Sequence, residues 1–274
     1  MLAFALMALT VLSDSNAIAG SKSNKLDRVL PDSRQQVQLS FAPLVKRVRP
    51  AVVNIYTRKV VKKSFRSPFF NDPFFKRFFG EKFALGAPRE RIQNSLGSGV
   101  IVRADGLVVT NHHVIKGADE ITVALADRRE FAAEIVVKDE RTDLAVLRID
   151  PRGEVLSHLE LIDSDNLEVG DLVLAIGNPF GVGQTVTSGI VSALARTQVG
   201  VADFASFIQT DAAINPGNSG GALVTMGGKL AGVNTAIFSR SGGSNGIGFA
   251  IPANMVRSVI DRKSTRLNSS HFSI

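Results

Sequence analysis

Cysteine is absent from the 274-residue sequence. This absence excludes disulfide bonds, thiolate metal sites and a cysteine nucleophile together, although it does not assign a compartment. The sequence also has no HExxH motif, and no third ligand is spaced to join the adjacent His112 and His113 in a zinc site. We therefore predict neither a bound metal nor a cofactor.

The N-terminal apolar run is too short to cross a membrane. It extends from Leu2 to Leu12, whereas a spanning helix needs about 20 apolar residues. Ala17-Ile18-Ala19 before Gly20 has the form of a signal-peptidase site, although no Lys or Arg precedes the apolar run. We predict a signal peptide over residues 1–19, a flexible segment over residues 20–39, and an exported protein without a stable membrane span.

One segment carries all of the net charge. From Arg58 to Arg91 there are ten basic and three acidic residues, which accounts for the formal charge of +7. Residues 60–92 also hold eight of the seventeen phenylalanines. Interleaved aromatic and basic residues can stack on single-stranded nucleic acid, but exposed phenylalanine clusters more often mark other contacts. We predict a long loop that docks onto a neighbouring subunit or onto the rim of the active site, and no nucleic-acid partner.

Long apolar heptads are scarce, and short β-branched runs separated by turns prevail. The first run is Ala51 to Thr57, and further runs follow between Ser98 and Ile149 and between Leu172 and Ala250. Short, evenly spaced strands with turn signals are typical of β-barrels or a sandwich. Pro151 to Gly170 lacks strand alternation and is predicted to join two halves. Helices are predicted near both ends, over residues 40–48, with Ser40 as the cap, and over residues 252–262.

A serine stands among glycines in Gly217-Asn218-Ser219-Gly220-Gly221. Such a turn lets backbone N–H groups point at the oxyanion that forms when a serine attacks a carbonyl. The stretch also fits the G-x-S-x-G pattern of α/β-hydrolases, in which the acid and the histidine follow the serine. His271 is the one histidine after Ser219, whereas His112, His113 and His158 precede it. This order favours the chymotrypsin-like arrangement of His, Asp and Ser.

Two further motifs supply the other members of a triad. His112 and His113 follow the apolar run that ends at Asn111, and Asp143 precedes the apolar run that begins at Leu144. Each motif alone is weak, because an Asp before a strand is usually a turn former. The order of the three motifs makes the signal strong.

Taken together, these motifs resemble the HtrA/Deg (Do-like) family of exported serine endoproteases. The resemblance covers roughly residues 38–262. The Phe-rich insertion around residues 73–80 is similar to the long LA loop of Do-like members. The matching motifs are Thr110-Asn111-His112-His113-Val114, Thr142-Asp143-Leu144-Ala145, Gly177-Asn178-Pro179-Phe180-Gly181, Gly217-Asn218-Ser219-Gly220-Gly221 and Gly246-Ile247-Gly248-Phe249-Ala250-Ile251-Pro252.

The resemblance implies an all-β fold, a chymotrypsin-like double β-barrel with short flanking helices. It implies a protease domain over residues 40–262, with barrels at about residues 40–155 and 160–251 and the active site in the cleft between them. His113 matches the catalytic histidine, Asp143 the aspartate and Ser219 the nucleophile. His112 and His113 cannot share the role, because we expect adjacent residues of an extended segment to point to opposite sides.

The resemblance also implies how a substrate is bound. The backbone N–H groups of Gly217 and Ser219, with Asn218 between them, would form the oxyanion hole. Asn234-Thr235-Ala236 would pair with an extended substrate as an added strand. Candidates for the primary specificity pocket are Ile214, Ile237, Phe238 and Ile247, which predict cleavage after small or medium aliphatic residues. Each of these residues also fits an ordinary barrel core.

By resemblance the partners are unfolded polypeptide substrates and two further copies of the chain in a homotrimer, the location is the periplasm, and the role is protein quality control. Residues 263–274 do not continue the family pattern, and we expect no PDZ domain in them. Two alternatives stay open at this stage. One is a chaperone-like holdase that uses the Phe-rich loop, and the other is an α/β-hydrolase that depends on His271.

Overall fold

The computed structural model describes residues 40–61, 91–178, 183–194, 207–237 and 244–269. The predicted signal peptide, the segment over residues 20–39, most of the Phe-rich loop and His271 lie outside the described residues. Three helices are described, α1 (Ala42–Val48), α2 (His112–Ile115) and α3 (Ala253–Ser269), with short 3₁₀ turns at Arg49–Ala51 and Ser164–Asn166.

Twelve strands form two closed barrels of six strands each. The first barrel has the order β1-β2-β3-β6-β5-β4 and the second has the order β10-β11-β12-β9-β8-β7. The strands of the first barrel are β1 (Val52–Val61), β2 (Arg91–Arg103), β3 (Leu107–Asn111), β4 (Glu120–Ala124), β5 (Glu130–Asp139) and β6 (Leu144–Ile149). Those of the second are β7 (Leu172–Gly177), β8 (Thr185–Leu194), β9 (Ile208–Thr210), β10 (Ala222–Thr225), β11 (Leu230–Ile237) and β12 (Gly248–Pro252).

The predicted all-β double barrel is confirmed. All strand pairs in both barrels are antiparallel. An α/β-hydrolase depends on parallel strands joined by helical crossovers, so this alternative is wrong for the chain. The turn residues have the backbone that the sequence predicts, since Gly106 between β2 and β3 and Gly228 between β10 and β11 both have positive φ angles.

Three groups of buried apolar side chains form the core. One group fills the first barrel around Ile55 and Leu147, and a second fills the other barrel around Ile208 and Leu223. The third combines residues of both barrels with Val256 of α3 and therefore joins the two halves of the molecule. The site described below lies where strand ends of the two halves meet.

The closing helix α3 is longer than predicted and contacts both halves. It extends to Ser269 instead of residue 262 because residues 263–269 contain no Gly or Pro that would end it. Arg257 donates to the carbonyl oxygens of Leu161 and Ile162 in the connection between the barrels, and Arg262 pairs with Asp139 of β5 at 3.1 Å. The helix thus fixes the connection against the barrels.

Candidate active site

The ends of β3 and β6 bring His113 and Asp143 together. Asn111 at the end of β3 lies opposite Leu144 at the start of β6. His113 follows β3 in the one-turn helix α2, and Asp143 precedes β6. His113 Nδ1 lies 2.7 Å from Asp143 Oδ2, and the backbone N–H of His113 donates to Oδ1 at 2.9 Å. The carboxylate therefore holds both the ring and the backbone of the histidine.

The backbone of Asp143 is fixed by its neighbours in turn. Its φ angle is +53°, a left-handed conformation that aspartate tolerates better than most residues. Its carbonyl oxygen accepts hydrogen bonds from the backbone N–H of His112 at 2.9 Å and from Asn111 Nδ2 at 3.0 Å. These bonds orient the aspartate towards the histidine.

The extended conformation expected for His112 and His113 was wrong. Both residues lie in helix α2 and not in an extended segment, so their side chains diverge by the about 100° of a helical step instead of 180°. The structure nevertheless separates them. His113 bonds the carboxylate with its ring, whereas His112 bonds the backbone of Asp143 with its own backbone.

Thr235 of β11 adds a third hydrogen bond to the same carboxylate. Its hydroxyl donates to Asp143 Oδ2 at 2.8 Å from the opposite barrel. Burial alone would raise the pKa of Asp143, but the hydrogen bonds from the side chain and backbone of His113 and from Thr235 outweigh it and hold this pKa below its ordinary value. Asp143 is therefore ionised at neutral pH. The sequence analysis assigned Thr235 to substrate binding and missed this contact.

Ser219 lies in the turn that leads into β10. Gly217 and Gly220 on either side of it have φ angles of +98° and +84°, which side chains rarely adopt. The backbone N–H groups of Asn218 and Gly220 are committed to carbonyl oxygens, those of Asn215 at 2.9 Å and Asn234 at 2.8 Å. The turn is thus held on both sides of the serine.

The hydroxyl of Ser219 also contacts Thr235. Ser219 Oγ donates to the carbonyl oxygen of Thr235 at 3.0 Å. Because a hydroxyl has one proton, this conformation does not donate that proton to His113. A rotation of the serine side chain is needed before the two can share it. Thr235 consequently contacts Asp143 through its hydroxyl and Ser219 through its carbonyl group.

Two backbone N–H groups of the turn are free to bind a ligand. Within the part of the chain that the structure describes, the N–H groups of Gly217 and Ser219 donate to no protein acceptor. They are separated by Asn218, whose N–H is already bonded. This is the donor arrangement that an oxyanion requires.

Residues 97–233 match the trypsin-like peptidase domain family. A Haemophilus influenzae protein named "Probable periplasmic serine protease do/HhoA-like" is 51% identical over 233 residues, which are 82% of this chain and 50% of that protein. The solved "HtrA-type protease AlgW with decapeptide" is 53% identical with a TM-score of 0.67, covering 83% of this chain and 68% of that one. The chain belongs to the HtrA/Deg family of trypsin-like serine proteases.

A second HtrA/Deg relative is the Escherichia coli protein named "Periplasmic pH-dependent serine endoprotease DegQ". It is 47% identical over 221 residues, which are 80% of this chain and 47% of that protein. The chain spans about half the length of the curated relatives it matches. The matched half is the part of the HtrA/Deg chain that contains His113, Asp143 and Ser219.

The structure places two asparagines of this HtrA/Deg chain inside the second barrel, and it corrects the pairing of Asn234 with a substrate strand. Asn218 is buried, and its side chain packs against Gly177 behind the turn. Asn234 is buried as well, and its backbone N–H and carbonyl bond Gly221 and Gly220. The Asn234 amide donates to the carbonyl oxygens of Ile176 and Ala222 within that barrel.

The four candidates for the specificity pocket are placed unequally. Ile214 is buried in the core of the second barrel, with its side chain packed closely on Gly248. Ile247 is half-buried, and Ile237 ends strand β11. Phe238 lies outside the described residues. Ile214 therefore packs in the barrel core, and its part in a specificity pocket stays a prediction.

Among the described residues, no group of three or more His, Cys, Asp or Glu side chains is placed to hold a metal ion. Within the same ranges, no helix is long and apolar enough to cross a membrane.

Proposed function

We propose that this chain is a serine endopeptidase that cleaves polypeptides with His113, Asp143 and Ser219. The observation that carries the proposal is the position of Thr235, which bonds Asp143 through its hydroxyl and Ser219 through its carbonyl oxygen. Together with the His113–Asp143 contact of 2.7 Å, these bonds join the acid, the base and the nucleophile in one network across the two barrels.

The residues have complementary roles in the proposed reaction. The hydroxyl of Ser219 turns from Thr235 towards His113, which takes its proton through Nε2 as Oγ attacks the scissile carbonyl. His113 then gives this proton to the leaving amine. Water attacks the acyl-enzyme in the second half of the reaction, as His113 takes a proton from the water and returns it to Ser219 Oγ. Asp143 holds the imidazole in the tautomer with the proton on Nδ1 and stabilises the imidazolium.

The oxyanion is stabilised by the free N–H groups of Gly217 and Ser219. Removing one donor of this kind typically lowers the rate by about 10²–10³. Glycine at position 217 suits this role because its φ angle of +98° is one that residues with a side chain rarely adopt. Asn218 contributes the link between the two donors and no donor of its own.

The substrate is an extended, unfolded polypeptide segment. Among the described residues, β10 pairs with β11 only as far as Val233, so the edge of β11 that faces away from β12 has no strand partner over Thr235 and Ala236. A peptide strand can therefore align along Thr235 and Ala236 by backbone hydrogen bonds. A related HtrA-type protease was solved with a decapeptide, in keeping with a peptide as the class of ligand. Ile237, Phe238 and Ile247 remain candidates for a pocket that accepts aliphatic side chains.

Membership of the HtrA/Deg family supports a proposal for location and assembly. We propose that the protein acts in the periplasm after removal of residues 1–19, in keeping with relatives named periplasmic proteases. We propose a homotrimer as its assembly, with protein quality control as its role. Light scattering of the purified protein measures the assembly directly, and a monomer would contradict it.

Cleavage of casein tests the proposed activity. The full chain is compared with Ser219→Ala and with Ser164→Ala, a buried serine that bonds Asn254 far from the site. We expect the rate to fall by about 10⁶ in Ser219→Ala and to stay within twofold in Ser164→Ala. A fluorophosphonate label that attaches to the parent and not to Ser219→Ala identifies the nucleophile. Equal cleavage by Ser219→Ala would refute the assignment.

A further inference from the structure

A buried serine on the first barrel contacts the turn that contains Ser219. Ser98 of β2 is completely buried. Its hydroxyl donates to the carbonyl oxygen of Gly217 at 2.7 Å and accepts from the backbone N–H of Asn178 at 2.9 Å. Its own backbone N–H donates to the carbonyl oxygen of Ser219 at 2.9 Å. One residue of the first barrel thus holds the turn at two carbonyl groups.

These two carbonyl groups determine where the free N–H groups point. In the peptide unit between Gly217 and Asn218, the carbonyl oxygen accepts from the Ser98 hydroxyl and the N–H donates to the carbonyl oxygen of Asn215. In the peptide unit between Ser219 and Gly220, the carbonyl oxygen accepts from the backbone N–H of Ser98 and the N–H donates to the carbonyl oxygen of Asn234. Because peptide units are planar, fixing these two units limits the rotation of the neighbouring units that contain the free N–H groups.

The turn lies directly on the backbone of Ser98. A Cβ placed on Gly220 would lie 2.0 Å from the carbonyl oxygen of Ser98. The backbone of the turn is therefore in direct contact with the backbone of β2, without an intervening side chain. That carbonyl oxygen accepts a hydrogen bond from Thr110 Oγ1 at 2.7 Å, which fixes it in turn. Ser98 is therefore held in place by its own barrel, independently of its bonds to the turn.

Glycine at position 217 makes this hold necessary. Glycine occupies left-handed and right-handed backbone conformations with similar ease, so the residue that allows the outward N–H also allows the peptide to rotate away. The Ser98 hydroxyl opposes this rotation by bonding the Gly217 carbonyl. An alanine at position 98 would leave that carbonyl and the Asn178 N–H without their partner.

We infer that Ser98 is a positioning residue of the reaction, whose hydroxyl keeps the N–H of Gly217 pointed at the oxyanion. The inference rests on the proposed function, since it assigns a task within the same site. Ser98 does not touch the substrate, because it is buried behind the turn. Its removal therefore weakens stabilisation of the transition state and leaves binding of the ground-state substrate nearly unchanged.

The test compares kcat and KM for fluorescein-labelled casein among the full chain, Ser98→Ala, Ser98→Cys and the control Ser164→Ala. Ser164 matches Ser98 as a buried serine whose hydroxyl accepts a backbone N–H, here that of Asn254 at 3.1 Å. We expect kcat of Ser98→Ala to fall by about 10–100-fold with KM changed less than twofold, below the about 10²–10³ of losing a donor outright. We expect kcat of Ser98→Cys to lie between those of the full chain and Ser98→Ala, because S–H is a weaker donor than O–H.

Two further measurements separate positioning from a general loss of structure. The melting temperature is recorded for each variant, and all kinetics are run well below the lowest value. The pH dependence of kcat/KM is expected to keep its midpoint in Ser98→Ala, because His113 and Asp143 are not altered. Labelling by a fluorophosphonate, whose phosphoryl oxygen occupies the oxyanion position, slows in parallel with kcat.

The outcomes are distinguishable. If the full chain neither cleaves casein nor reacts with the fluorophosphonate, the proposed function is overturned and the role of Ser98 with it. If the full chain is active and folded Ser98→Ala has the kcat of Ser164→Ala, the proposed function stands and the role of Ser98 is overturned. A rise in KM at unchanged kcat would also overturn it, because that result assigns Ser98 to substrate binding.

Discussion

The hydroxyl of Thr235 donates a hydrogen bond to Oδ2 of Asp143 at 2.8 Å, across 92 residues of sequence and from one barrel to the other. Asp143 is otherwise held by elements of the first barrel. The carboxylate at the centre of the candidate site therefore depends on how the two barrels are assembled.

Replacing Thr235 with valine removes this donor and keeps the shape of the side chain. The folded-state pKa of Asp143 lies below its ordinary value, so the carboxylate stabilises the fold above the unfolded-state pKa of about 3.9 and loses that effect as pH falls through the folded-state pKa. We expect Thr235→Val to lower the free energy of unfolding at pH 7 by about 1.5–3 kcal/mol. The deficit shrinks below about pH 4, as denaturant titrations at a series of pH values measure.

The matched control for this prediction is Thr187→Val. The Thr187 hydroxyl donates to a neutral acceptor, the carbonyl oxygen of Ala213, at 2.8 Å. Its loss is expected to be smaller, about 0.5–1.5 kcal/mol, and independent of pH between 3 and 7. If both variants showed the same pH dependence, the hydrogen bond of Thr235 would not stabilise the charge on Asp143.

The two adjacent histidines are expected to differ sharply in their effect on cleavage. His113→Ala removes the group that bonds Asp143 and is expected to reduce kcat by about 10⁶, as expected for a triad base. His112→Ala keeps the backbone N–H that bonds Asp143 and is expected to stay within about twofold of the parent. Casein cleavage by both variants measures this difference. A larger loss for His112→Ala would reverse the assignment of the base.

The order of three short motifs was enough to favour a His, Asp and Ser arrangement, and the alternation of short strands with turns was enough to favour β-barrels or a sandwich. Both depend on local patterns. The choice of His113 over His112 and the double barrel came from the resemblance to the HtrA/Deg family. The one-turn helix at His112–Ile115 was missed because four residues are too few for a helical period to be visible. Because this helix was missed, the expectation that the His112 and His113 side chains point to opposite sides was wrong as well.

The contacts between the two barrels could not be predicted from the sequence. Nothing near Thr235 indicates that its hydroxyl bonds Asp143, and nothing near Ser98 indicates that it bonds Gly217, since each pair is separated by about 100 residues. The backbone bonds of Asn234 were missed for the same reason, because its N–H and carbonyl bond Gly221 and Gly220 in another part of the chain.

The charge of Asp143 is expected to matter more than its shape. Asp143→Asn preserves the size of the side chain but offers His113 an amide in place of the carboxylate, which favours the wrong tautomer of the imidazole. We expect kcat to fall by about 10⁴ while the fold is retained. Asp139→Asn is the control, because Asp139 caps the same turn through the N–H of Arg141 and lies outside the triad network. Equal kcat for both variants would remove Asp143 from the proposed mechanism.

Gly220 is expected to tolerate no side chain, for reasons of space as well as conformation. Its φ angle is +84°, and a Cβ would lie 2.0 Å from the carbonyl oxygen of Ser98. Gly153 has nearly the same φ angle, +86°, with nothing within 4 Å of its Cβ position. Gly153→Ala therefore measures the conformational cost alone, about 1–2 kcal/mol. We expect Gly220→Ala to lose at least about 2 kcal/mol more in the free energy of unfolding, because backbone atoms must move to relieve the overlap. Equal losses in the two variants would show that the turn can move away from β2, and the close contact between Ser98 and the Ser219 turn would then not constrain the oxyanion donors.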